Sequence, residues 1–237
     1  MARTWHGGRV RHGRMRRTGW LAAAAAAGSV TGAAAVTVAV VVGAGSPLSG
    51  YVSESGVGDG GYPLVYRSGV VALAVSLLLL AGALRPVRAA AWLLVTAGSA
   101  ATVSAAVPCR AGCPLPPHDP VTASDLIHGG ASIVAVACCV FAMVAIWWSP
   151  VSPRALRRLA FVSAVTALPV SGAIGLAMLL IGGGLLVGVL ERLLLLVITV
   201  WCLVSGVRIA CGFAQHRDPV QNSTVAKEPT LRKPHRR

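Results

Sequence analysis

Apolar residues in this chain form six long blocks, and short stretches rich in charge, glycine or proline separate one block from the next. Most blocks hold about 20 residues, roughly what an α-helix needs to cross ~30 Å of hydrocarbon. Apolar and polar residues do not alternate as they would in a transmembrane β-barrel. The pattern predicts six membrane-spanning helices, at 19–43, 66–84, 89–107, 126–148, 159–181 and 189–210.

Composition agrees with a membrane protein. Of the 237 residues, 55% are hydrophobic and only 12% are charged, whereas a soluble domain carries about twice that charged fraction. We therefore predict an all-α membrane protein, a bundle of six transmembrane helices spanning 19–210. A basic arm precedes the bundle at 1–18. A basic tail follows at 211–237, and its mixture of proline and charge predicts disorder.

Charge is distributed unevenly between the two sides of the predicted bundle. One side carries 18 basic residues against two acidic ones, and the other carries three against five. By the positive-inside rule, both termini are expected in the cytoplasm of a multi-pass cell-membrane protein. This topology accounts for the net charge of +14. Aromatic residues are scarce at 5%, and no basic patch is interleaved with them, so no nucleic-acid partner is predicted.

The stretch between the third and fourth spans, PCRAGCPLPPHDPVTASDLIHGG at 108–130, concentrates polar residues and proline. It falls on the predicted exterior, where disulfides persist, and the short spacing of Cys109 and Cys113 around Gly112 favours a bond between them. A zinc site using both cysteines, His118 and an aspartate is one alternative, and a thiol-exchange site is another. With the disulfide as the favoured interpretation, we expect no metal ion and no other cofactor.

Two residues near the start of the fourth span have candidate roles. Thr122 and Asp125 have the spacing of a helix-capping box, with aspartate in place of the usual glutamate. His128 lies one turn further along and is the one histidine inside a predicted span. It either forms a hydrogen bond with Asp125 near the interface, or serves as a ligand contact or proton carrier, since ionisable groups at membrane depth usually face the bundle interior or water.

Three further ionisable residues open other spans on the same side. Arg67 begins the second span, and Glu191 and Arg192 begin the sixth. An unpaired arginine in hydrocarbon costs several kcal/mol, so Arg192 is expected to find a carboxylate, either Glu191 or Glu54 on another segment. The predicted outer-leaflet polar cluster comprises Ser53, Glu54, Arg67, Asp125, His128, Glu191 and Arg192.

Several short motifs also occur in a characteristic order and spacing. They are Val52-Ser53-Glu54 before glycine-rich residues, Tyr62-Pro63 before the second span, His128 at the start of the fourth, and Gly188, Arg192 and Trp201 in GVLERLLLLVITVW. In these motifs, residues 20–210 resemble the bacterial membrane family catalogued as domain of unknown function nine-nine-eight. The resemblance implies a six-helix protein and adds weight to Ser53, Glu54, His128 and Arg192 as a set. Where that family has a short Phe-Pro segment after the third span, this chain has its two cysteines.

No phosphate-binding loop, metalloprotease motif or nucleophile elbow occurs in the sequence. Three functions are consistent with a membrane protein that lacks these motifs. The favoured one is a non-catalytic membrane protein that binds lipids or an envelope protein. The alternatives are an enzyme that acts on a lipid at the outer leaflet through His128 and Arg192, and a small transporter that uses the same polar cluster.

Overall fold

A computed structural model describes residues 6–43, 47–58 and 60–215, and it describes the side chains of residues 16–212 within those ranges. All regular structure in this part of the chain is helical, as the sequence predicts. The elements are α1 (His6–Val42), a short 3-10 helix (Val52–Gly56), α2 (Gly61–Ala83), α3 (Arg88–Ala106), α4 (Ala123–Trp148), α5 (Arg154–Ile181) and α6 (Leu185–Gln215).

All six α-helices are long and apolar enough to cross a membrane, which confirms the number of spans. Several extend beyond the predicted limits, because an apolar run marks only the part of a helix that lies in hydrocarbon. Helix α5 begins at Arg154, before the predicted start at 159, and α1 begins at His6, inside the predicted basic arm. Helix α6 continues to Gln215, past the predicted boundary at 210. The rest of the predicted tail, 216–237, lies outside the described residues.

The helices form a closed ring in chain order. Each helix packs against the next one, and α1 also packs against α6. Only 22–33% of the most apolar window of each helix is buried inside the protein. The remaining surface carries many exposed leucine, valine and isoleucine side chains, more apolar surface than a soluble monomer exposes. A lipid bilayer is the environment that this surface requires.

Glycine allows α1 and α2 to approach closely. Gly28 and Gly32 lie one turn apart on α1 and face α2, a spacing that allows two membrane helices to approach closely. A Cβ atom added to Gly32 would lie 2.8 Å from the carbonyl oxygen of Gly69, and one added to Gly69 would lie 2.9 Å from the carbonyl oxygen of Gly32. The two backbones therefore meet at a point where no other residue fits without displacement.

Tryptophan occupies both the interior and the surface of the bundle. Trp201 is completely buried and packs in the hydrophobic core. Trp20, Trp92 and Trp148 are exposed over 70%, 71% and 73% of their surface. Trp92 and Trp148 lie near the ends of α3 and α4 opposite the 3-10 helix, and Trp20 lies near the start of the apolar span of α1 on the same side. Amphipathic rings at such positions are typical of a membrane–water boundary.

Candidate functional site

Residues 47–58, here called the strap, connect α1 to α2 and contain the 3-10 helix. Two adjacent residues of α6 hold the strap in place. The backbone amide of Val52 donates a hydrogen bond of 2.9 Å to the Glu191 carboxylate. Nη1 of Arg192 donates to the carbonyl oxygens of Gly50, at 3.1 Å, and Gly188, at 2.8 Å. Adjacent side chains thus bind both a donor and an acceptor of the strap backbone.

Glycine permits this close contact. A Cβ atom on Gly188 would lie 2.6 Å and 2.7 Å from the carbonyl oxygens of Leu48 and Gly50. Gly50 itself has a φ of +75°, in the left-handed region where glycine is favoured. The strap therefore crosses α6 where Gly50 and Gly188 meet, and neither segment has a side chain at this point.

Charged side chains also stabilise the strap from within and from α2. The Glu54 carboxylate accepts a 2.8 Å hydrogen bond from the backbone amide of Tyr51, which closes the first turn of the 3-10 helix. Nε of Arg67, on α2, donates to the carbonyl oxygen of Gly56 at 2.9 Å. Both residues therefore have structural partners in the strap backbone.

Residues 107–122, here called the cysteine loop, lie at the same end of the bundle. The amide of Cys113 donates to the carbonyl oxygen of Arg110 at 2.9 Å, and Gly112 between them has a φ of +80°. Glycine suits this position in a tight turn because no Cβ atom opposes a positive φ. The turn brings the Cα atoms of Cys109 and Cys113 to 5.0 Å, and the predicted disulfide is present. Both cysteines are buried.

Asp125 anchors the cysteine loop to α4. Its carboxylate accepts from the amide of Thr122 at 2.9 Å, while the Thr122 hydroxyl accepts from the amide of Asp125, which confirms the predicted capping box. The same carboxylate accepts from the backbone amide of Arg110 at 2.8 Å and forms a 2.9 Å ion pair with its guanidinium group. A buried carboxylate with this many donors favours its charged form.

His128 joins α4 to the end of α3. Its Nδ1 lies 2.9 Å from the carbonyl oxygens of both Ser104 and Val107. Carbonyls only accept hydrogen bonds, so Nδ1 carries a proton. The predicted partner, Asp125, instead contacts Arg110 and Thr122. Nε2 of His128 is buried and has no hydrogen-bond partner among the described residues.

A pocket of about 240 Å³ lies between the strap, the cysteine loop and the turn that joins α5 to α6. Its polar side chains are those of Tyr51, Glu54, His118 and Asp119. Burial raises the pKa of Tyr51 above its ordinary value, and the nearby carboxylates of Glu191, Glu54 and Asp119 raise it further. The rise from three separate carboxylates indicates a negative potential around this phenol.

The family of this chain follows from a sequence match that covers most of these elements. Residues 25–208 match the family model described as "Protein of unknown function (DUF998)". The chain belongs to this family. The match confirms the resemblance found in the sequence motifs. No curated protein and no solved structure matches the chain.

The structure places the predicted site residues of this DUF998 member in two groups. Ser53, Glu54, Arg67, Glu191 and Arg192 make contacts in or onto the strap. Asp125 and His128 brace the cysteine loop from α4. The hydroxyl of Ser53 links the two groups through a 3.3 Å hydrogen bond to Sγ of Cys113.

The partner of Arg192 differs from the expected one. Within the described residues its guanidinium group forms no ion pair with a carboxylate, and backbone carbonyls accept its hydrogen bonds. Sequence patterns mark charged residues but give no sign of which carbonyls a folded loop will present. For the same reason, no sequence pattern marked Tyr51 or Asp119 as part of the site. His118, expected as a zinc ligand in one alternative, contacts the carbonyl oxygen of Leu179 at 3.1 Å.

Proposed function

We propose that this protein is a non-catalytic, multi-pass protein of the cell membrane whose outer pocket binds the amine head group of a lipid. In this proposal both termini are cytoplasmic and the strap end of the bundle faces the exterior. The excess of basic residues at the opposite end supports that orientation.

The composition of the pocket lining carries the proposal. Among the described residues, the lining includes the carboxylates of Glu54 and Asp119 but no arginine or lysine, although the chain has 21 basic residues and only seven acidic ones. Two carboxylates near a phenol favour a cationic group over an anionic one. A volume of about 240 Å³ lies below the usual range for drug-sized ligands and suits a head group.

Apolar side chains beside the pocket favour a lipid over a free amine. Gly182, Gly183 and Gly184 line the pocket at the end of α5. Leu179, Leu180 and Ile181 precede these glycines, Leu185 and Leu186 follow them, and all five are more than half exposed. A lipid with its amine in the pocket would have its acyl chains next to this apolar surface, which would otherwise contact bulk lipid.

The positions of His128 and Arg192 favour binding over catalysis. Neither residue lines the pocket, and Arg192 is already engaged with two carbonyls. A transporter of this type would place its site near the middle of the membrane. The pocket instead lies at the strap end, among loop residues.

Native mass spectrometry of the purified protein tests the proposal. Delipidated protein receives phosphatidylethanolamine or, as the matched lipid without an amine, phosphatidylglycerol. We expect preferential binding of phosphatidylethanolamine, about tenfold weaker in Asp119→Asn because one charge-assisted contact is lost. Free ethanolamine at equal concentration should not displace the lipid.

A matched pair of tyrosine variants provides the control. Tyr51→Phe alters the pocket, whereas Tyr62→Phe makes the same change at an exposed residue that does not line it. Only the first should change lipid binding. Equal binding of both lipids would contradict the head-group proposal. Release of a lipid with altered mass would contradict the non-catalytic assignment.

A further inference from the structure

We propose that Cys109, Cys113 and His128 form a binding site for a thiophilic d10 metal ion, Zn²⁺ or Cu⁺, when the two cysteines are in their dithiol state. The disulfide is then the metal-free state of the same site. This inference is independent of the proposed lipid pocket, and it replaces the sequence-based expectation that no metal is bound.

The three donor groups are already close together. Both sulfur atoms and a ring nitrogen of His128 lie within 4.8 Å of one another, and all three residues are buried. Around one zinc ion, with Zn–S bonds near 2.3 Å and Zn–N bonds near 2.0 Å, such donors lie roughly 3.5–4 Å apart. Only small movements of the cysteine loop would convert the observed arrangement into a coordination shell.

The hydrogen bonds of His128 prepare it as a ligand. Its Nδ1 donates to the carbonyl oxygens of Ser104 and Val107. In the neutral ring, that leaves the lone pair on Nε2, which is buried and without a partner in the described part of the chain. A metal-binding histidine typically donates its other ring nitrogen to a carbonyl or carboxylate in this way. An unpartnered buried acceptor is otherwise costly.

The cysteines also have a supporting contact. The hydroxyl of Ser53 donates to Sγ of Cys113 at 3.3 Å. A hydroxyl that donates to sulfur stabilises a thiolate, the form in which cysteine binds metals. A metal ion here would connect the cysteine loop to α4, while Ser53 would connect the metal site to the strap.

Formation of the site requires reduction of the disulfide, and a dithiol can supply the electrons and protons for this step. The reductant's two thiols become its disulfide, and its two electrons and two protons convert the Cys109–Cys113 disulfide into two thiols. Metal binding then releases both thiol protons as two sulfur–metal bonds form. Two thiolates and one imidazole match the preference of Cu⁺ and Zn²⁺ for soft or nitrogen ligands.

Competition with chromophoric chelators in the full-length protein tests this site. Protein reduced under anaerobic conditions and freed of reductant should bind one Zn²⁺ or one Cu⁺ per chain. Oxidised protein should bind neither. The site selects whichever ion the protein retains against the chelator of higher affinity for that ion.

Histidine variants separate ligation from folding. In His128→Asn the amide nitrogen replaces Nδ1 as donor to the carbonyls, but no atom replaces Nε2. The reduced variant should therefore keep its thermal stability and lose metal affinity by about tenfold or more. His118→Asn is the control and should bind metal as the unaltered protein does. Reduced protein that binds no ion, or a His128→Asn variant with unchanged affinity, would overturn the proposal.

Discussion

The carboxylate of Glu191 on α6 accepts a 2.9 Å hydrogen bond from the backbone amide of Val52 on the strap, 139 residues earlier in the chain. The next residue, Arg192, donates to the carbonyl oxygen of Gly50. An acid and a base side by side at the start of a membrane span therefore bind the strap backbone. The Glu191 carboxylate and Nη1 of Arg192 bind main-chain partners instead of each other, and Nε of Arg192 has no partner among the described residues.

Glu191→Ala should destabilise the protein by about 1–3 kcal/mol, because the amide of Val52 would be left buried and without an acceptor. Glu191→Gln should cost much less, since its amide oxygen can accept the same hydrogen bond. Thermal unfolding of the purified variants in detergent measures the difference. Equal melting temperatures for the two variants would show that the contact with Val52 contributes nothing.

Glu191 and Arg192 should be coupled energetically, because both hold the same short segment. Once one substitution has released the strap, loss of the second contact lowers the stability by less than it would in the unaltered protein. In a double-mutant cycle of Glu191→Ala and Arg192→Ala, we expect the double variant to be more stable than the sum of the single effects predicts, by about 0.5 kcal/mol or more. Strict additivity would indicate that the two residues act on separate parts of the fold.

Helix α5 could be predicted from the sequence, whereas the hydrogen-bond partners of Arg192 could not. The helices follow from long apolar runs, but those runs do not mark the helix ends. Helix α5 begins among basic residues at Arg154, and α2 and α6 begin at Gly61 and Leu185, before their predicted starts. The capping box and the disulfide were predictable because each depends on local spacing. The partners of Arg192 and His128 were not, because they are backbone carbonyls on segments brought near by the fold, and no side-chain pattern marks them.

Gly32→Ala should destabilise the contact between α1 and α2, because its Cβ atom would lie 2.8 Å from both the carbonyl oxygen of Gly69 and Cγ of Leu73. Overpacking of this kind costs about 1–3 kcal/mol. Gly172→Ala is the matched control on α5, where an added Cβ atom meets nothing within 4 Å. Thermal unfolding should show a lower melting temperature for the first variant and an unchanged or higher one for the second. Equal effects would mean that the close approach is unimportant.

Tyr51 should make stability depend on pH in the alkaline range. Burial and three carboxylates raise the pKa of its phenol above the ordinary value of 10.0. The folded protein therefore holds this proton more tightly than the unfolded chain. The resulting stabilisation is complete below pH ~10 and is lost as pH rises towards the raised value.

Melting temperatures measured between about pH 8 and pH 11 test this effect. The unaltered protein should lose stability relative to Tyr51→Phe as pH passes ~10, since phenylalanine has no proton to lose. Tyr62→Phe provides the control for a general effect of tyrosine removal. A constant difference between the unaltered protein and Tyr51→Phe over the whole range would exclude an effect of Tyr51 ionisation.

Reporter fusions test the orientation on which the outer pocket depends. Fusions at residue 152 and after residue 215 should report the cytoplasm, and fusions near residues 57 and 116 should report the exterior. The expectation follows from 18 basic residues against two acidic ones on the first side and three against five on the second, because basic loops are retained in the cytoplasm. A cytoplasmic signal at 116 would contradict this topology. It would place Cys109 and Cys113 in a reducing compartment, where the dithiol state would prevail and the lipid pocket would face the inner leaflet.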